Sequence, residues 1–544
     1  MKVFGLFCLA WLCVLGIGLC ADKPNVIFIL VDDLGWADLG VHGSKDVKSP
    51  HIDKLARDGV QLTESYAPHH FCFPSRCGLM TGIHPFVLGM SKNPPRSFDD
   101  KIIGMKLGYE TLPETLKKSG YRNYCIGKWH LGSTPGHHPL NRGYDKFFGF
   151  LPGSFNYKLA KMKSGPDYDY IYDDFKRVKN VSYLTDDFTD AALRYLSDAK
   201  KKKKPFFMYV SYNAPHAPFL SLKTDRDPKV SKARQPHVAM IKAIDRGVGK
   251  IRAALEKLGM EDDTIVMFSS DNGGHEKGAI NKPFTEFKGS YQEGGLRVPW
   301  FITWPGVIKK GQKMKKIVSH LDIYPTLQKL AKTSKKDRNP KIQGEDIMPY
   351  ITKVGKSKPE DGGQPHSWLA FGGIRRGMIR KGFWKLALGF DGIKLYNLKD
   401  DVGEKKDLSK KFPDRKKSLL ATWRKWNKNN IEPIFQDGKK DKNPLKLTLV
   451  AKKKSTKAGG QLEFQARGSD PKGKKISYQW ETYQKGDTDE VLFRDVWVDA
   501  LKSSSRTKKN ITIRFPKAGT YIVRVNIETD RFLMDKEVTI KVSK

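Results

Sequence analysis

Residues 25–33 read NVIFILVDD, a continuous apolar run followed at once by two aspartates. Apolar runs without polar alternation are typical of strands that are buried on both faces of a parallel sheet. Comparable runs occur at 206–212 (FFMYVSY) and 264–269 (TIVMFS), and shorter candidates lie at 123–127 and 299–303. The sequence therefore predicts a mostly parallel central sheet.

Helical patterns separate these runs. The Ser-Pro pair at 49–50 starts a helix that Gly59 ends. Residues 111–114 (TLPE) spell a capping box, and residues 236–258 carry a longer helical pattern. Alternating strands and helices predict an α/β fold in which helices sandwich the sheet.

The pattern changes after about residue 345. Residues 367–397 read as short strands of a small antiparallel sheet, and residues 413–428 read as one helix. From residue 445 onward, short alternating strands predict a β-sandwich. We therefore predict a signal peptide (1–21), a main α/β domain (22–345), a smaller antiparallel-sheet subdomain with a C-terminal helix (346–432), a linker (433–444) and a β-sandwich module (445–544).

The N-terminus has the composition of an export signal. Lys2 precedes an apolar run from Val3 to Cys20, and polar residues follow Ala21, which favours cleavage near Ala21. One alternative is an uncleaved membrane anchor, because the run is nearly long enough to cross a bilayer. A lipid-anchored Cys20 is the other, although Leu19 is bulky for the position before it. We expect a secreted or periplasmic protein with no membrane span after cleavage.

Three cysteines lie outside the signal: Cys72, Cys77 and Cys125. An odd count is a poor disulfide framework and leaves at least one thiol for chemistry. A bridge between Cys77 and Cys125 stays open at this stage.

The formal charge is +40, from 99 Lys and Arg against 59 Asp and Glu. Such a balance often indicates nucleic-acid binding. Here the lysines are scattered, apart from runs such as 200–204, and no nucleic-acid motif accompanies them. Two interpretations remain: attraction to a polyanionic polysaccharide, and a solvated, soluble surface.

Residues 72–76 read CFPSR. Pro74 and Ser75 suit a helix start, which places Cys72 at the positive N-terminal end, where a sulfate binds well. Arg76 then lies one turn further on and faces the same way. The alternative for Cys72 is a small buried core cysteine.

Acidic and amide side chains directly follow two of the apolar runs. Asp32 and Asp33 follow the first run, and Asp271 and Asn272 follow the run at 264–269. Carboxylates at such positions are costly to bury unless they bind a cation, and the alternative is a solvated loop. Three carboxylates and one amide oxygen suit Ca²⁺ or Mg²⁺ rather than zinc.

Further cationic and histidine side chains lie in short motifs elsewhere. Lys128 and His130, in GKWHLG, are two residues apart, so in an extended chain they can reach one pocket. His216 lies in NAPHAPF and Lys288 in FKGSYQEGGLRVP, and each is weak evidence alone. A lone histidine is usually a core residue, but the Lys-His pair favours a functional role.

In type and order these motifs resemble those of the sulfatase family, whose signature is Cys-x-Pro-x-Arg. The resemblance covers roughly residues 24–430 and is closest to arylsulfatases and N-acetylgalactosamine-6-sulfatases. It implies that a maturation enzyme oxidises Cys72 to formylglycine. It also implies one Ca²⁺, with Mg²⁺ as the alternative, whose ligands are Asp32, Asp33, residue 72 (Cys72), Asp271 and Asn272. The catalytic or sulfate-binding residues that it implies are Cys72, Arg76, Lys128, His130, His216 and Lys288.

In the mechanism that the resemblance implies, hydrated formylglycine attacks sulfur. Arg76, Lys128 and Lys288 compensate charge on the sulfate oxygens. His216 protonates the leaving alcohol, and His130 takes a proton from the second hydroxyl.

Two other functions remain open. One is a phosphatase or phosphodiesterase of the same superfamily, with an unmodified residue at position 72 and often two metals. The other is an inactive polysaccharide-binding protein, which failure to modify Cys72 would produce.

The predicted substrate is a sulfated sugar or polysaccharide, and no nucleic-acid partner is expected. Ser154, His137 and His275 are candidates for substrate contact. The C-terminal module resembles a PKD or cadherin-type domain, with a role either as a spacer or in carbohydrate contact.

Overall fold

A computed structural model of the protein describes residues 23–94, 104–157, 170–178, 180–354, 364–373, 376–389, 392–431, 446–469, 476–485, 509–515, 517–528 and 533–544. The predicted signal peptide (1–21) and linker (433–444) lie outside the described residues and stay predictions. None of the helices in the described part of the chain combines the length and the apolar composition needed to cross a bilayer.

The largest sheet has ten strands within the described residues. They are β1 (Asn25–Val31), β2 (Val60–Tyr66), β3 (Arg122–Lys128), β4 (Lys146–Phe150), β5 (Tyr172–Asp173), β6 (Lys176–Arg177), β7 (Phe206–Ser211), β8 (Thr264–Ser270), β9 (Trp300–Thr303) and β10 (Gln312–Ser319). Their order across the sheet is β10-β2-β9-β8-β1-β7-β3-β4-β5-β6.

The centre of this sheet is parallel, as the apolar runs predict. β8, β1, β7, β3 and β4 all run in one direction. β9 is antiparallel to both β8 and β2, and β5 is antiparallel to β4. The parallel direction brings the carboxyl ends of β1, β3, β7 and β8 to one edge, which is where α/β proteins bind their ligands.

Helices cover both faces of the sheet. The α-helices of the described residues are α1 (Pro50–Arg57), α2 (Cys72–Thr81), α3 (Leu112–Lys118), α4 (Leu184–Lys202), α5 (Gln235–Lys257), α6 (Glu293–Leu296), α7 (Ile323–Leu330), α8 (Met348–Ile351) and α9 (Pro413–Asn427), of which α9 packs on the second sheet described below. Alternate residues of β1 enter different cores: Ile27 and Ile29 pack with α1, α4 and α5, while Phe28 and Leu30 pack with α2, α3 and α7. Burial on both faces explains why β1 has no polar alternation.

A second, antiparallel sheet follows the main domain. Its strands are β11 (Leu369–Gly372), β12 (Gly377–Lys381), β13 (Trp384–Gly389) and β14 (Gly392–Asn397), paired in that order. Leu419 and Trp423 of α9 pack onto this sheet beside Ile379 and Leu386. The small antiparallel sheet with a C-terminal helix is therefore present, as predicted.

The C-terminal segment forms two layers, whose strands pair antiparallel except for the short parallel pair of β16 and β21. One sheet has the order β15-β17-β19 and the other β16-β21-β20-β18. The strands are β15 (Lys446–Ala451), β16 (Ser455–Lys457), β17 (Gln461–Ser469), β18 (Ser477–Lys485), β19 (Asn510–Arg514), β20 (Gly519–Glu528) and β21 (Leu533–Ser543). Phe464, Trp480, Ile513 and Val523 form the core between the layers. The predicted β-sandwich is confirmed.

Candidate active site

The predicted site residues meet at the carboxyl edge of the central sheet. Asp32 and Asp33 follow β1, Asp271 and Asn272 follow β8, and Lys128 is the last residue of β3. β8 and β3 flank this part of the sheet on either side of β1 and β7. Residues that are far apart in the chain thus converge because their strands run parallel.

Helix α2 supplies Cys72 as its first residue and is buried along its whole length. Phe71, which precedes it, has no polar side chain to cap the helix, and the Phe73 amide donates to Asn93 Oδ1 at 3.2 Å. A helix start of this kind attracts an anion. Cys72 is only 2% exposed, and burial raises the pKa of its thiol, although Lys128 and Lys288 act in the opposite direction.

Three fully buried carboxylates lie together next to this helix start. Asp32, Asp33 and Asp271 each offer an oxygen, and these oxygens lie within 4.8 Å of one another. Asp32 Oδ1 and Asn272 Oδ1 are buried without a hydrogen-bond partner among the described residues. Burial and the charge of Asp32 raise the pKa of Asp271 to about 7. Crowded carboxylates with unsatisfied oxygens are what a divalent cation requires.

Two lysines neutralise part of this negative charge. Lys128 Nζ lies 2.5 Å from Asp32 Oδ2, and Lys288 Nζ lies 2.7 Å from Asp33 Oδ1 and 3.7 Å from Cys72 Sγ. Burial acts to raise the pKa of Asp32, but Lys128, His216 and Arg76 hold it below the ordinary value. Lys288 therefore contacts the residue-72 position directly, whereas Lys128 acts on it through its charge.

Arg76 lies below the pocket rather than in it. Its Nε and Nη2 lie 3.0 and 2.8 Å from Asp271 Oδ2, and its Nη1 donates to Ser211 Oγ at 2.6 Å. Nη1 also donates to the Lys128 carbonyl and to the Tyr209 hydroxyl, both at 3.2 Å. The guanidinium is fully buried, so the geometry argues for orientation of Asp271 and against direct contact with a sulfate oxygen.

His216 lies across the pocket, where its Nε2 is 3.6 Å from Asp33 Oδ2. Its Nδ1 lies 2.5 Å from the Ala217 carbonyl, so Nδ1 carries a proton and Nε2 faces the site. Tyr157, which is fully buried, donates its hydroxyl to the carbonyls of Asn213 and His216 at 2.5 and 2.8 Å. Burial lowers the pKa of His216, while Asp32 and Asp33 oppose that shift.

His130 occupies the remaining side of the pocket. It packs edge-on against Phe73 of α2 with ring centroids 5.7 Å apart, and its Nδ1 is buried without a partner among the described residues. Burial, followed by Lys128, holds its pKa well below the ordinary value. Asp33 and His130 both have left-handed backbone, with φ of 67° and 58°. Such strain is typical of functional positions.

The loops that carry Asp271 and Lys288 are locked together by close backbone contact. The Gly273 amide donates to the Gly295 carbonyl, and the Lys288 amide donates to the Gly274 carbonyl, both at 3.0 Å. A Cβ on Gly273 would collide with the Gly294 carbonyl oxygen, so only glycine permits this approach. The glycines of the two motifs thus fix Lys288 relative to the carboxylates.

The three residues predicted to contact substrate differ in their surroundings. Ser154 is exposed, and His275 is partly exposed beside Gly274, the residue that bonds the Lys288 amide. His137 is 2% exposed, and its ring nitrogens bond Thr134 Oγ1 and the Met105 carbonyl. This geometry argues against substrate contact by His137, because its ring ties down a turn.

Sequence reasoning missed several supporting residues, namely Asn93, Tyr157, Tyr209 and Ser211. Ser211 is the last residue of β7, so its place at the carboxyl edge was a usable signal. The open question on the remaining cysteines is also settled, since Cys77 and Cys125 are buried and free.

A parallel sheet whose active edge gathers buried carboxylates, lysines and a helix start defines an enzyme that hydrolyses anionic esters. The chain matches the sulfatase family over residues 24–333 and the PKD domain over residues 446–542. It belongs to the sulfatase family, whose members hydrolyse sulfuric esters, and the prediction of a sulfatase is confirmed.

Individual relatives agree with this assignment. N-acetylgalactosamine-6-sulfatase of Mus musculus is 33% identical over 351 residues, which are 61% of this chain and 67% of that protein. Arylsulfatase J of Mus musculus is 31% identical over 477 residues, which are 78% of this chain and 79% of that protein. The crystal structure of Ps i-CgsB in complex with k-i-k-neocarrahexaose is 34% identical, with a TM-score of 0.70 over 76% of this chain and 94% of that chain.

Proposed function

We propose that this sulfatase removes sulfate from a sulfated polysaccharide, using a formylglycine made from Cys72 and a bound Ca²⁺. The arrangement around Cys72 carries the proposal: it begins a buried helix where three buried carboxylates and two lysines converge. A sulfated thiol has no easy route to release its sulfate. Formylglycine that has added one water carries two hydroxyls on one carbon. One attacks sulfur, and loss of the proton from the other expels sulfate and restores the aldehyde.

The donor atoms fit a hard divalent cation. The orphaned oxygens of Asp32 and Asn272, together with Asp33 and Asp271, make an all-oxygen set that suits Ca²⁺, with Mg²⁺ as the alternative. The ion would supply positive charge opposite the sulfate oxygens and beside the nucleophile. It would also lower the raised pKa of Asp271, because a nearby cation favours the ionised carboxylate.

The lysines and the helix start bind the sulfate. Lys288 contacts the residue-72 position, Lys128 is paired with the neighbouring Asp32, and residue 72 begins α2, whose first amide groups are free to bind an anion. Arg76 acts indirectly, because its guanidinium holds the Asp271 carboxylate in place. This differs from the direct charge compensation that the sequence alone suggests for Arg76.

The two histidines handle protons. Since Nδ1 of His216 donates to the Ala217 carbonyl, Nε2 is the atom that faces the leaving alcohol. Nε2 gives up a proton from the doubly protonated imidazolium, the form that the neighbouring Asp32 and Asp33 favour. The unpartnered Nδ1 of His130, kept neutral by burial, is suited to accept a proton from the residue-72 hydroxyl.

Relatives and surface charge favour a sulfated polysaccharide. One relative is named for N-acetylgalactosamine 6-sulfate hydrolysis, and another was crystallised with k-i-k-neocarrahexaose. A formal charge of +40 attracts a polyanion. His275 and Ser154 lie on loops beside the site and are proposed sugar contacts. A cleaved signal at 1–21 is proposed to export the protein, and a formylglycine-generating enzyme is proposed to mature it.

The domain division at 22–345, 346–432 and 445–544 is likewise proposed. The position of the PKD match and the separate cores of the small sheet and of the C-terminal layers support it.

Mass spectrometry of the residue-72 peptide, combined with an aryl sulfate assay, tests the mechanism. We expect an aldehyde at position 72 in protein made with a maturation enzyme. Activity should fall on chelation and return with added Ca²⁺. Cys72→Ala should lower activity by about 10³-fold or more. Cys77→Ala, on the same helix but outside the pocket, is the matched control and should stay active.

An unmodified thiol in a protein that hydrolyses sulfate esters would refute the formylglycine mechanism. Full activity after complete metal removal would refute the proposed ion.

A further inference from the structure

The small antiparallel sheet carries an exposed group of aromatic side chains. Phe383, in the turn between β12 and β13, is 52% exposed, and Phe412, at the start of α9, is 36% exposed. Trp384 follows Phe383 in the chain, and its ring centroid lies 5.1 Å from that of Phe412 at an interplanar angle of 67°. Large apolar side chains with this exposure are rare in the described part of the chain, where Val450 is the other example.

Each of these rings lies under a cation. Lys399 Nζ is 6.0 Å from the Phe383 ring, Lys411 Nζ is 5.6 Å from the Phe412 ring, and the Arg415 guanidinium is 4.6 Å from the Trp384 ring. All three cations are exposed, and within the described residues none lies within 4 Å of a carboxylate. We call these six residues (Phe383, Trp384, Lys399, Lys411, Phe412 and Arg415) the aromatic-basic patch.

The carboxylates near the patch are mostly engaged by the backbone. Asp401 accepts from the Lys405 and Lys406 amides, and Asp407 accepts from the Leu395 and Ser409 amides. Segment 399–417 has eight Lys and Arg against five Asp and Glu. The local surface is therefore positive, with its cations available to an external anion.

The loop that carries the patch also touches the active-site loop. The Glu293 amide donates to Glu404 Oε2 at 2.7 Å, and the Thr285 hydroxyl donates to the Gly403 carbonyl at 3.0 Å. Lys288 lies between these two contact points in the chain. The segment that carries the patch is therefore joined by hydrogen bonds to the segment that carries Lys288.

We infer that the aromatic-basic patch binds a segment of a sulfated polysaccharide chain outside the catalytic pocket. Exposed aromatic faces stack on the apolar faces of sugar rings, and the three cations bind the sulfate groups that such a chain carries. Isolated aromatic exposure would fit many partners, but its combination with unpaired cations selects a polyanion that also has apolar surface. The identity of the polymer rests on the proposed function, whereas the binding surface does not.

Equilibrium binding to a carrageenan and to its desulfated form tests this inference. An inactive Cys72→Ala background keeps the polymer intact during the titration. We expect Phe383→Ala/Phe412→Ala to weaken binding of the carrageenan about tenfold. Lys411→Ala/Arg415→Ala, which removes two cations and keeps the aromatic side chains, should weaken binding by about the same factor. Lys200→Ala/Lys201→Ala, which removes two exposed cations from α4, is the charge-matched control and should change affinity less than twofold.

Activity assays on proteins that retain Cys72 separate this surface from the catalytic chemistry. Turnover of a small aryl sulfate should be unchanged in the patch variants, while kcat/KM on the polymer falls about fivefold. The inference is overturned if the patch variants bind the carrageenan as the parent does. It is also overturned if the α4 control loses as much affinity, or if the desulfated polymer binds equally well. Loss of aryl sulfate activity in the parent protein would instead count against the proposed function.

Discussion

Arg76 connects Asp271, one of the proposed metal ligands, to the central sheet. One guanidinium meets Asp271, Ser211, Tyr209 and the Lys128 carbonyl, so it positions Asp271 and fixes the end of β3 at the same time. A lysine has one nitrogen and cannot reproduce this fork.

We expect Arg76→Lys to lower kcat by about 10- to 100-fold, because the supporting partner of a metal ligand is lost. The affinity for Ca²⁺, measured by titration of metal-free protein, should fall in parallel while the fold is retained. Tyr144→Phe, another buried substitution in the same core, is the control. Unchanged metal affinity in Arg76→Lys would contradict the positioning role.

A second residue-scale prediction concerns Tyr157, whose hydroxyl holds the His216 backbone. Tyr157→Phe removes two hydrogen bonds and should lower kcat by about fivefold or more. The loss should be greater on alkyl or sugar sulfates than on nitrophenyl sulfate, because a good leaving group needs little proton donation. Tyr183→Phe, whose hydroxyl bonds the distant Leu220 carbonyl, should not discriminate between substrates.

At the residue scale, the sequence indicates the charged side chains that the structure brings together. It does not indicate the side chains that hold them in place by hydrogen bonds. Asp32 and Asp271 are visible because a carboxylate after a buried apolar run is unusual. The role of Arg76 could not be predicted, because it depends on the register that places Tyr209 and Ser211 of β7 beside β3. The sequence could not separate His137 from a pocket histidine, because the bonds of its ring to Thr134 and to the Met105 carbonyl are visible only in the structure.

At the scale of elements, a buried aspartate of α5, Asp245, joins that helix to α1. Asp245 Oδ1 accepts from the His51 and Ile52 amides at 2.9 and 2.8 Å, at the start of α1. Burial raises the pKa of Asp245 to about 6, even though these bonds act to lower it. The folded protein therefore binds this proton more tightly than the unfolded chain, whose value is near 3.8.

This shift predicts that the contribution of Asp245 to stability falls as the pH rises from about 4 to about 6, because the folded state must then ionise a buried acid. Asp245→Asn cannot ionise. The stability of Asp245→Asn relative to the parent should therefore increase by about 1–3 kcal/mol between pH 4 and pH 7.5. Urea unfolding at both pH values measures it, with the exposed Asp190→Asn as the control. A difference independent of pH would contradict the assignment.

Elements buried on both faces were the most predictable from sequence, as β1, β7 and β8 illustrate. β2 (VQLTESY) and β10 (QKMKKIVS) were not predicted, because their polar residues hide the strand pattern. Glu64 of β2 is balanced by Arg297 and Arg380, which are distant in the chain. Lys313 and Lys315 of β10 are exposed on an edge strand, where lysines discourage pairing with other chains.

At the scale of the whole molecule, a buried ion network joins the ten-stranded sheet to the small antiparallel sheet. Lys385 of β13 lies 2.9 Å from Glu293 Oε1 and 2.8 Å from Glu404 Oε1, and all three are buried. Glu293 also accepts from the Tyr66 hydroxyl at 2.7 Å. The network thus ties the small sheet to α6 and to the loop that carries Lys288.

Lys385→Met should destabilise the protein by about 3–5 kcal/mol, because two buried carboxylates lose their common cation. Thermal and denaturant unfolding measure the effect, and Lys381→Met, which removes an exposed lysine from β12, is the control. Activity should be lost at a lower temperature in Lys385→Met than in the parent. Equal stability of the two variants would contradict the coupling.

The burial of Cys72 limits the time during which another enzyme can modify it. With 2% of its surface exposed, the side chain lies beyond the reach of any separate enzyme once the sheet and helices have closed around it. The oxidation proposed above must therefore happen while the chain is still open. Under the proposed mechanism, a copy that folds first keeps its thiol and stays inactive. The yield of active enzyme then depends on the rate of modification relative to the rate of folding.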